Sequence, residues 1–273
     1  MAVPGSVGVY GGGRMGAGIA HAFAVAGSTV TVIETESAAG SARDRLEKSL
    51  AKAAEKGIAV SGTVSVVTDP AALAAVTLVV EAVPELVELK HTVLATIAEH
   101  APDAVIGTNT SSLSIDVLAQ ALPDPSVLIG LHFFNPVPAS DLVEVVVGEH
   151  TPPALVGLAQ DWVSGLGKHA ITVRNSPGFA SSRLGVAIAL EAMRMVEEGV
   201  ASAEDIDSAM TLGYRHPVGP LRTTDLVGLD VRLAIAEHLE RELGPRFAPP
   251  QLLRDKVAAG RLGRKTGEGF YRW

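Results

Sequence analysis

The chain of 273 residues is 47% hydrophobic and 19% charged, with a net charge of −8 and no cysteine. This length allows one large or two smaller domains. The acidic balance disfavours a nucleic-acid partner, and the absence of cysteine excludes disulfides, thiolate metal sites and cysteine nucleophiles. No uninterrupted apolar segment approaches about 18 residues, and the N-terminus "MAVPGS" lacks a signal core, so we expect a soluble cytoplasmic protein that does not contact a membrane.

Short β-branched runs alternate with Ala-rich helical stretches through the first two-thirds of the chain. The predicted strands are Val7–Tyr10, Thr29–Glu34, Val64–Val67, Leu78–Glu81, Ala104–Gly107, Val127–His132 and Leu142–Val147. Helical periodicity is found between them, for example over 14–26, 38–56 and 86–100. This βαβ rhythm predicts a mostly parallel sheet covered by helices.

The pattern changes after Pro177. The following segment has helical periodicity without strand breaks, and the remainder continues as helices separated by Gly and Pro. We therefore expect a domain boundary near "RNSPG" (174–178) and a smaller all-helical domain after it.

A glycine-rich segment follows the first predicted strand and opens the first helix. In Gly11-x-Gly13-x-x-Gly16, the first glycine permits a tight turn and the second lets the backbone approach a pyrophosphate. The third allows the helix to pack closely on the strand. Arg14 and Met15 lie between the last two glycines and are counted with the cofactor-binding residues. The segment predicts a dinucleotide site at the helix N-terminus.

Glu34 ends the second predicted strand, 23 residues after Gly11. An acid at this point hydrogen-bonds the adenosine ribose of a dinucleotide. A carboxylate there repels a 2′-phosphate, and no arginine follows directly in "IETES". NAD is therefore favoured over NADP.

His132 lies in "GLHFFNPVP" (130–138), at the end of a predicted apolar strand. It is either a buried histidine with one backbone hydrogen bond or a ligand-facing group, because ligands bind beside strand ends in open α/β sheets. Glu144 lies twelve residues later, in the next predicted strand. If the two strands are neighbours, the carboxylate fixes the tautomer of the imidazole and stabilises its charged form. If they are not, Glu144 is a solvent-facing residue.

The segment "GTNTSSLSI" (107–115) follows another predicted strand. Ser111, Ser112 or Ser114 suits a helix N-cap, and hydroxyls at a strand end are equally suited to binding a substrate oxygen.

Six motifs together resemble the L-3-hydroxyacyl-CoA dehydrogenase family, which includes the bacterial 3-hydroxybutyryl-CoA dehydrogenases. They are "GGGRMGAGIA", "NTSSL", "GLHFFNPVP", "LVEVV", "NSPGF" and "GRKTGEGFY". The resemblance implies an α/β fold with a Rossmann-like NAD-binding domain over residues 1–176. It also implies a helical C-terminal domain over residues 177–273 that contributes to substrate binding and mediates a homodimer.

The resemblance also implies roles for individual residues. His132 is then the catalytic base, Glu144 its partner carboxylate and Ser111 a catalytic and substrate-binding hydroxyl. Further substrate-binding positions, two of them at the CoA portion, are Ser182, Ser49 and Lys56. Further cofactor-binding positions are Glu85, Lys90, Asn135 and Lys265. Without the resemblance, Lys56 and Lys265 are ordinary surface lysines.

Two positions depart from the family pattern. Ser182 stands where the family usually has Asn, and a shorter hydroxyl changes the fit around the thioester end. Ser140 and Asp141 stand where a Met-Lys pair is common, which weakens the attraction of that rim for CoA phosphates.

We therefore expect NAD-dependent oxidation of a (S)-3-hydroxyacyl-CoA to a 3-ketoacyl-CoA, with an acyl-CoA thioester as the partner molecule. The same chemistry on another 3-hydroxy acid, or on a carrier-protein-bound acyl group, is the alternative. A non-catalytic protein that retains the fold as a nucleotide sensor is a further one.

Overall fold

A computed structural model describes residues 3–273. Within them the chain forms two compact units, one that ends at Ser176 and one that covers Pro177–Trp273. The first two residues of the "MAVPGS" segment, on which part of the N-terminal prediction rests, lie outside the described residues. No described helix is both long enough and apolar enough to cross a bilayer.

The N-terminal unit is built on one eight-stranded sheet. Its strands are β1 (Ser6–Tyr10), β2 (Thr29–Ile33), β3 (Thr63–Val67), β4 (Leu78–Glu81), β5 (Val105–Thr108), β6 (Leu128–Phe133), β7 (Leu142–Val147) and β8 (His169–Arg174). Their spatial order is β3-β2-β1-β4-β5-β6-β7-β8, and all neighbours are parallel except β6 and β7. The order reverses between β1 and β4, which creates the crevice where ligands bind in open α/β sheets.

The helices of this unit are α1 (Arg14–Val25), α2 (Glu36–Glu55), α3 (Val87–His100), α4 (Ile115–Ala119) and α5 (Pro153–Gly165). Consecutive residues of the central strands are buried, as in β4 and β6, because the sheet is covered on both faces. Ile19 and Phe23 of α1 pack into the same core as Val7 and Val9 of β1. This packing fixes α1 against the sheet and so fixes the loop between β1 and α1.

The C-terminal unit is helical. It contains α6 (Ser181–Glu197), α7 (Ala203–Ser208), α8 (Pro220–Val227), α9 (Leu229–Leu243) and α10 (Gln251–Ala258), with a π-helical turn at Ala209–Gly213. Its core includes Met193, Leu221, Leu229 and Leu239. The last residues are held by Asp225, whose carboxylate accepts hydrogen bonds from the backbone N–H groups of Phe270 and Tyr271 and from the indole of Trp273.

The predicted fold class is confirmed: a mainly parallel, helix-covered sheet precedes a helical unit. Each predicted strand is present, with ends shifted by one residue at most, so that β2 ends at Ile33 and His132 is the penultimate residue of β6. The strands predicted from the sequence do not include β8. β8 is an edge strand in which exposed and half-buried residues alternate, so it lacks the apolar run that marks the central strands.

Candidate functional site

The glycines of the loop between β1 and α1 serve different purposes. Gly11 has φ +100°, a conformation that glycine adopts without steric strain. A Cβ on Gly16 would lie 1.8 Å from the carbonyl oxygen of Gly11, so the close approach of α1 to this loop requires a glycine. Gly13 has no atom within 4 Å of a Cβ position, so its backbone faces open space just before α1.

This open surface fits the pyrophosphate of a dinucleotide. In the described part of the chain, no side chain caps the N-terminus of α1 and no acid lies in its first turn, so the helix dipole favours an anion there. Arg14 is exposed and Met15 is half-buried at this end of the helix. Glu34 lies beside the loop, because its Oε2 accepts a hydrogen bond of 2.8 Å from the backbone N–H of Gly12. The loop and the acid that the sequence assigns to the cofactor are thus together.

Glu81 and Lys90 form a buried ion pair. The family resemblance indicates Lys90 as a site residue, but it does not indicate Glu81. Lys90 Nζ lies 2.7 Å from Glu81 Oε1 and 2.9 Å from Oε2, and the two side chains are 1% and 0% exposed. Thr108 Oγ1 and the backbone N–H of Val83 also donate to this carboxylate. A sequence signal for Glu81 exists, since an acid that ends the apolar run "LVVE" needs a buried partner.

Glu85 connects this pair to the serine segment. Its Oε1 accepts hydrogen bonds from the hydroxyl of Thr110 (2.6 Å) and from the backbone N–H and hydroxyl of both Ser111 and Ser112. Its Oε2 lies 3.4 Å from Lys90 Nζ. Burial alone would raise the pKa of Glu85, but Lys90 and these hydrogen bonds outweigh it and hold the pKa below its usual value. Glu85 is therefore an ionised group beside Ser111.

The three serines of "SSLS" have two different roles in the structure. Ser114 caps α4, since its Oγ accepts a hydrogen bond from the backbone N–H of Val117. Ser111 and Ser112 bind Glu85 instead.

His132 and Glu144 face each other across neighbouring strands. β6 and β7 pair antiparallel, and these two residues are directly opposite in the register. His132 Nδ1 lies 2.6 Å from Glu144 Oε2, and both side chains are buried. Because a carboxylate only accepts hydrogen bonds, Nδ1 carries the proton and Nε2 is the basic nitrogen of the neutral ring. The pair can thus exchange a proton at Nε2 while Glu144 compensates the positive charge.

Asn109 supports this end of β6, although the sequence reading did not single it out. Its Oδ1 accepts a hydrogen bond of 2.9 Å from the backbone N–H of Phe133, the residue after His132. The ring of Phe134 packs on the imidazole at 4.6 Å between centroids. These contacts restrict the orientation of His132.

These residues of the N-terminal unit collect at one edge of the sheet. Tyr10, Glu81 and Thr108 are register partners at the carboxyl ends of β1, β4 and β5, and His132 lies near the carboxyl end of β6. Parallel strands bring their carboxyl ends to the same edge. The glycine loop, Glu85, Ser111 and the His132–Glu144 pair therefore line one region.

A cleft of about 460 Å³ lies between α1, α2 and the turn that follows β6, and it includes Arg14 at the start of α1. Among the described residues, no carboxylate lines it. Half of its lining residues are apolar or glycine, and the other half are basic or polar: Arg14, His21, Arg45, Lys48, Ser49, Lys52, Lys56 and Asn135. Ser49 Oγ lies 2.9 Å from His21 Nδ1. The structure thus brings together Arg14, Ser49, Lys56 and Asn135 from the sequence analysis. It adds four basic residues, of which Arg45, Lys48 and Lys52 follow one another on α2 at spacings of three and four residues, which place them on one face of the helix. Such a cleft suits a phosphate-bearing ligand.

A lysine from a later part of the chain binds the turn that contains Ser140 and Asp141. Lys168 Nζ donates hydrogen bonds to the carbonyl oxygens of Val137 and Ser140 at 2.7 and 2.5 Å. Burial lowers the pKa of Lys168, and the charge of Asp141 opposes that shift. The acid at Asp141 therefore stands beside a lysine.

Two predicted site residues belong to the C-terminal unit. Ser182 is half-buried in the first turn of α6. Lys265 is paired with Asp230, at 2.6 Å from each carboxylate oxygen. Their roles toward a ligand stay predictions.

Comparisons with known proteins identify the family of this chain. The family model of the 3-hydroxyacyl-CoA dehydrogenase NAD-binding domain matches residues 6–176, and that of its C-terminal domain matches residues 178–273. A 3-hydroxybutyryl-CoA dehydrogenase from Mycobacterium tuberculosis is 42% identical over 277 residues, with 97% of each chain covered.

Two crystal structures are also similar to this chain. FadB2 of M. tuberculosis has a TM-score of 0.93 at 40% identity, and (S)-3-hydroxybutyryl-CoA dehydrogenase PaaH1 of Ralstonia eutropha has a TM-score of 0.92 at 38% identity. In both cases the match covers 99% of this chain and 99% of the solved chain. The chain belongs to the 3-hydroxyacyl-CoA dehydrogenase family of NAD-dependent oxidoreductases that act on CH–OH groups.

Proposed function

We propose that this protein catalyses the reversible NAD-dependent oxidation of (S)-3-hydroxyacyl-CoA to 3-ketoacyl-CoA. The observation that carries the proposal is the buried contact of 2.6 Å between His132 Nδ1 and Glu144 Oε2, at the edge of the sheet where the dinucleotide loop lies. A base of this kind is what the removal of a hydroxyl proton requires.

In the oxidation, His132 accepts the proton of the C3 hydroxyl at Nε2, and Glu144 stabilises the imidazolium that forms. When bound, NAD accepts the hydride from C3. In the reverse direction the imidazolium returns its proton to the oxygen on C3. His132 is therefore the base in one direction and the acid in the other, so the preferred pH should differ between them.

Ser111 hydrogen-bonds the reacting oxygen in this proposal. Its hydroxyl has a single proton, and in the structure it donates a hydrogen bond of 3.2 Å to Glu85 Oε1. Substrate binding would turn that proton toward the C3 oxygen. Glu85 keeps its other donors during this exchange, so the carboxylate stays solvated while the hydroxyl turns.

The basic cleft supports a CoA thioester as the substrate. CoA carries several phosphate charges, and the cleft offers Arg45, Lys48, Lys52 and Lys56 with Ser49 among them. Other 3-hydroxy acids and carrier-bound acyl groups remain the alternative that Ser182 and Asp141 raise.

One assay separates these substrates. NADH oxidation is followed with acetoacetyl-CoA, with the pantetheine thioester of the same acyl group, and with free 3-keto acids. Turnover that is much faster with the CoA thioester supports the proposal. Equal rates with CoA and pantetheine thioesters, or turnover of free acids alone, would reject CoA as the carrier.

We also propose that the protein is a homodimer formed through the C-terminal unit. This unit exposes large apolar side chains, including Leu184, Leu212 and Tyr214 at 63%, 82% and 77%. Such exposure is typical of an interaction surface. Sedimentation equilibrium tests this, and a monomer at micromolar concentration contradicts it.

The cytoplasmic location stays a sequence-based proposal that cell fractionation can test.

A further inference from the structure

His21, on α1, is a buried histidine that lines the basic cleft of the N-terminal unit. Its side chain belongs to a residue that is 6% exposed, and its Nδ1 lies 2.9 Å from Ser49 Oγ. Its Nε2 makes no hydrogen bond with any residue of 3–273. This nitrogen keeps some accessible surface, because Arg232 Nε is the one fully enclosed side-chain nitrogen or oxygen without a partner among the described residues. The mechanism above does not use this imidazole.

The charges around His21 are of one sign. Within the described part of the chain, the other ionisable side chains that line the cleft are all basic: Arg14 on α1, and Arg45, Lys48, Lys52 and Lys56 on or next to α2. The strands β1, β2 and β3, which pack under α1, carry no residue that is charged at neutral pH. Lys168 also acts on the imidazole, whereas the charge of Asp141 acts on Lys168.

These surroundings make the charge of His21 depend on what the cleft binds. Burial and, to a smaller extent, the charge of Lys168 lower the pKa of His21 below 6.5, so the ring is neutral at pH 7. An anion held among the same basic side chains acts in the opposite direction and raises the pKa. Binding of an anion and protonation of His21 therefore favour each other.

Protonation also changes the number of hydrogen-bond donors that His21 and Ser49 offer together. In the neutral ring with its proton on Nε2, the Ser49 hydroxyl donates to Nδ1, so only Nε2–H is left for a ligand. With the proton on Nδ1, that N–H donates to Ser49, so only the hydroxyl is left. The charged ring donates from Nδ1 to Ser49 and keeps Nε2–H, which leaves both donors for a ligand. One proton thus adds a charge and a donor to the cleft.

We propose that His21 takes up a proton from solvent when a phosphate of CoA binds in this cleft, and that the charged imidazole is then one of the groups that bind CoA. The inference rests on the proposed function, because it takes the cleft as the place of the CoA portion. A phosphate has a negative charge and several acceptor oxygens, so it uses both the added charge and the added donor. The affinity of the protein for CoA therefore increases as the pH falls through the range in which the bound histidine is protonated and the free one is not.

The phosphate itself has an opposing effect that the experiment must separate. A phosphate monoester loses its second charge below a pKa of about 6, so it binds basic groups more weakly as the pH falls. This effect is the same in the parental protein and in His21→Gln, because glutamine keeps a hydrogen bond to Ser49 and does not titrate. The difference between the two proteins therefore reports on the imidazole alone.

The experiment is a calorimetric titration of CoA into the full chain saturated with NADH, at about pH 6 and about pH 8, in buffers of different ionisation enthalpy. It gives the Kd and the number of protons bound per CoA. The ratio of the Kd at the higher pH to the Kd at the lower pH should be about 3- to 10-fold larger in the parental protein than in His21→Gln, as a pKa rise of one unit or more gives. The parental protein should also bind more protons per CoA. His150→Gln, at an exposed histidine, is the matched control and should behave as the parental protein does.

The failure of this inference and the failure of the proposed function are distinguishable. Equal proton uptake in the parental protein and in His21→Gln, with acetoacetyl-CoA still turned over, overturns the inference and leaves the proposed function intact. Inactivity with every thioester, together with no binding of CoA, rejects the proposed function. If the two proteins differ in the pH dependence of NADH binding and not of CoA binding, the cleft belongs to the dinucleotide and the inference is wrong.

A second measurement decides the case in which His21→Gln does not fold. The histidine rings of the parental protein are titrated by NMR with and without saturating CoA. The ring whose pKa lies below 6.5 without CoA should show a pKa higher by about one unit or more when CoA is bound. A pKa that CoA leaves unchanged contradicts the proposal.

Discussion

Lys90 Nζ is hydrogen-bonded to both oxygens of Glu81, at 2.7 and 2.9 Å, beneath the edge of the sheet that carries the candidate site. Glu81 is the last residue of β4 and Lys90 lies in the first turns of α3, so the pair ties a strand end to the helix that follows it. Lys90 also lies 3.4 Å from Glu85, which holds Ser111. The pair therefore links the packing of α3 to the position of the serine segment.

Lys90→Met should destabilise the fold by about 3–5 kcal/mol, because it leaves the charge of Glu81 buried without its partner. Urea unfolding at neutral pH measures this free energy. Lys52→Met, at an exposed lysine, is the control and should change stability by no more than about 0.5 kcal/mol. The double variant Lys90→Met/Glu81→Gln should recover part of the loss. A single variant as stable as the control would show that the pair does not hold this edge.

His132→Gln and Glu144→Gln should each lower kcat by about 10²–10⁴-fold, since each removes general acid–base catalysis or its support. Affinity for NADH should change little, because neither residue belongs to the glycine loop. Steady-state kinetics and fluorescence titration of NADH measure the two quantities. The two losses should not add in the double variant, because the residues act as a unit. Near-parental turnover in His132→Gln would reject the assigned base.

Gly13 and Gly16 should respond differently to alanine. Gly16→Ala forces a Cβ to within 1.8 Å of the Gly11 carbonyl oxygen, so α1 must move and the melting temperature should fall by several degrees or the protein should not fold. Gly13→Ala meets no atom within 4 Å, and its φ of −63° is open to alanine, so the fold should be unaffected. If the pyrophosphate binds against Gly13, this variant should weaken NADH binding about 10-fold or more. Unchanged NADH affinity in a folded Gly13→Ala protein would place the cofactor elsewhere.

Glu85 should stabilise the fold at neutral pH and lose that effect in acid. Its pKa is lowered in the folded state, so the unfolded chain binds the proton first as the pH falls below about 4.5. The ionised Glu85 carboxylate therefore stabilises the fold above about pH 4.5, and this stabilisation is lost as the pH falls through the lower pKa that Glu85 has in the folded state. Glu85→Gln should therefore flatten the stability profile in this acidic range, as measured by chemical unfolding at a series of pH values. A profile that keeps its parental slope would show that the carboxylate is not stabilised by its neighbours.

The elements that could be predicted from the sequence are those whose signal is local. The strands β1, β4 and β6 are continuous apolar runs, and the glycine spacing marks the turn before α1 without reference to any other part of the chain. The approach of Glu144 to His132 could be stated only conditionally. It depends on β6 and β7 pairing antiparallel with residues 132 and 144 opposite, and the sequence does not specify that register.

The contacts that could not be predicted depend on how helices pack. His21 reaches Ser49 because α1 lies against α2, and three basic residues of α2 face the same cleft for that reason. In the sequence these are only an Ala-rich helix with lysines every fourth position. Arg232 is similar, since its burial against Gly185 requires that α9 pack on α6 with that glycine at the contact. Helical periodicity gives the buried face but not the partner that covers it.

His21 makes a pH-dependent contribution to stability that its environment determines. Burial and, to a smaller extent, the charge of Lys168 lower its pKa below 6.5, and it hydrogen-bonds Ser49 among the basic groups of the cleft. The unfolded chain therefore binds the proton before the folded one does as the pH falls below about 6.5, so stability is lost in that range and is fully present above it.

His21→Gln should remove this loss, because glutamine can hydrogen-bond the Ser49 hydroxyl and does not titrate. The difference in unfolding free energy between about pH 7.5 and about pH 5.5 should be smaller in this variant than in the parental protein. His150→Gln, at an exposed histidine, is the matched control and should keep the parental difference. Equal pH dependence in the His21 variant and in the control would mean that the cleft tolerates a protonated imidazole, and the neutral form inferred from its burial would be wrong.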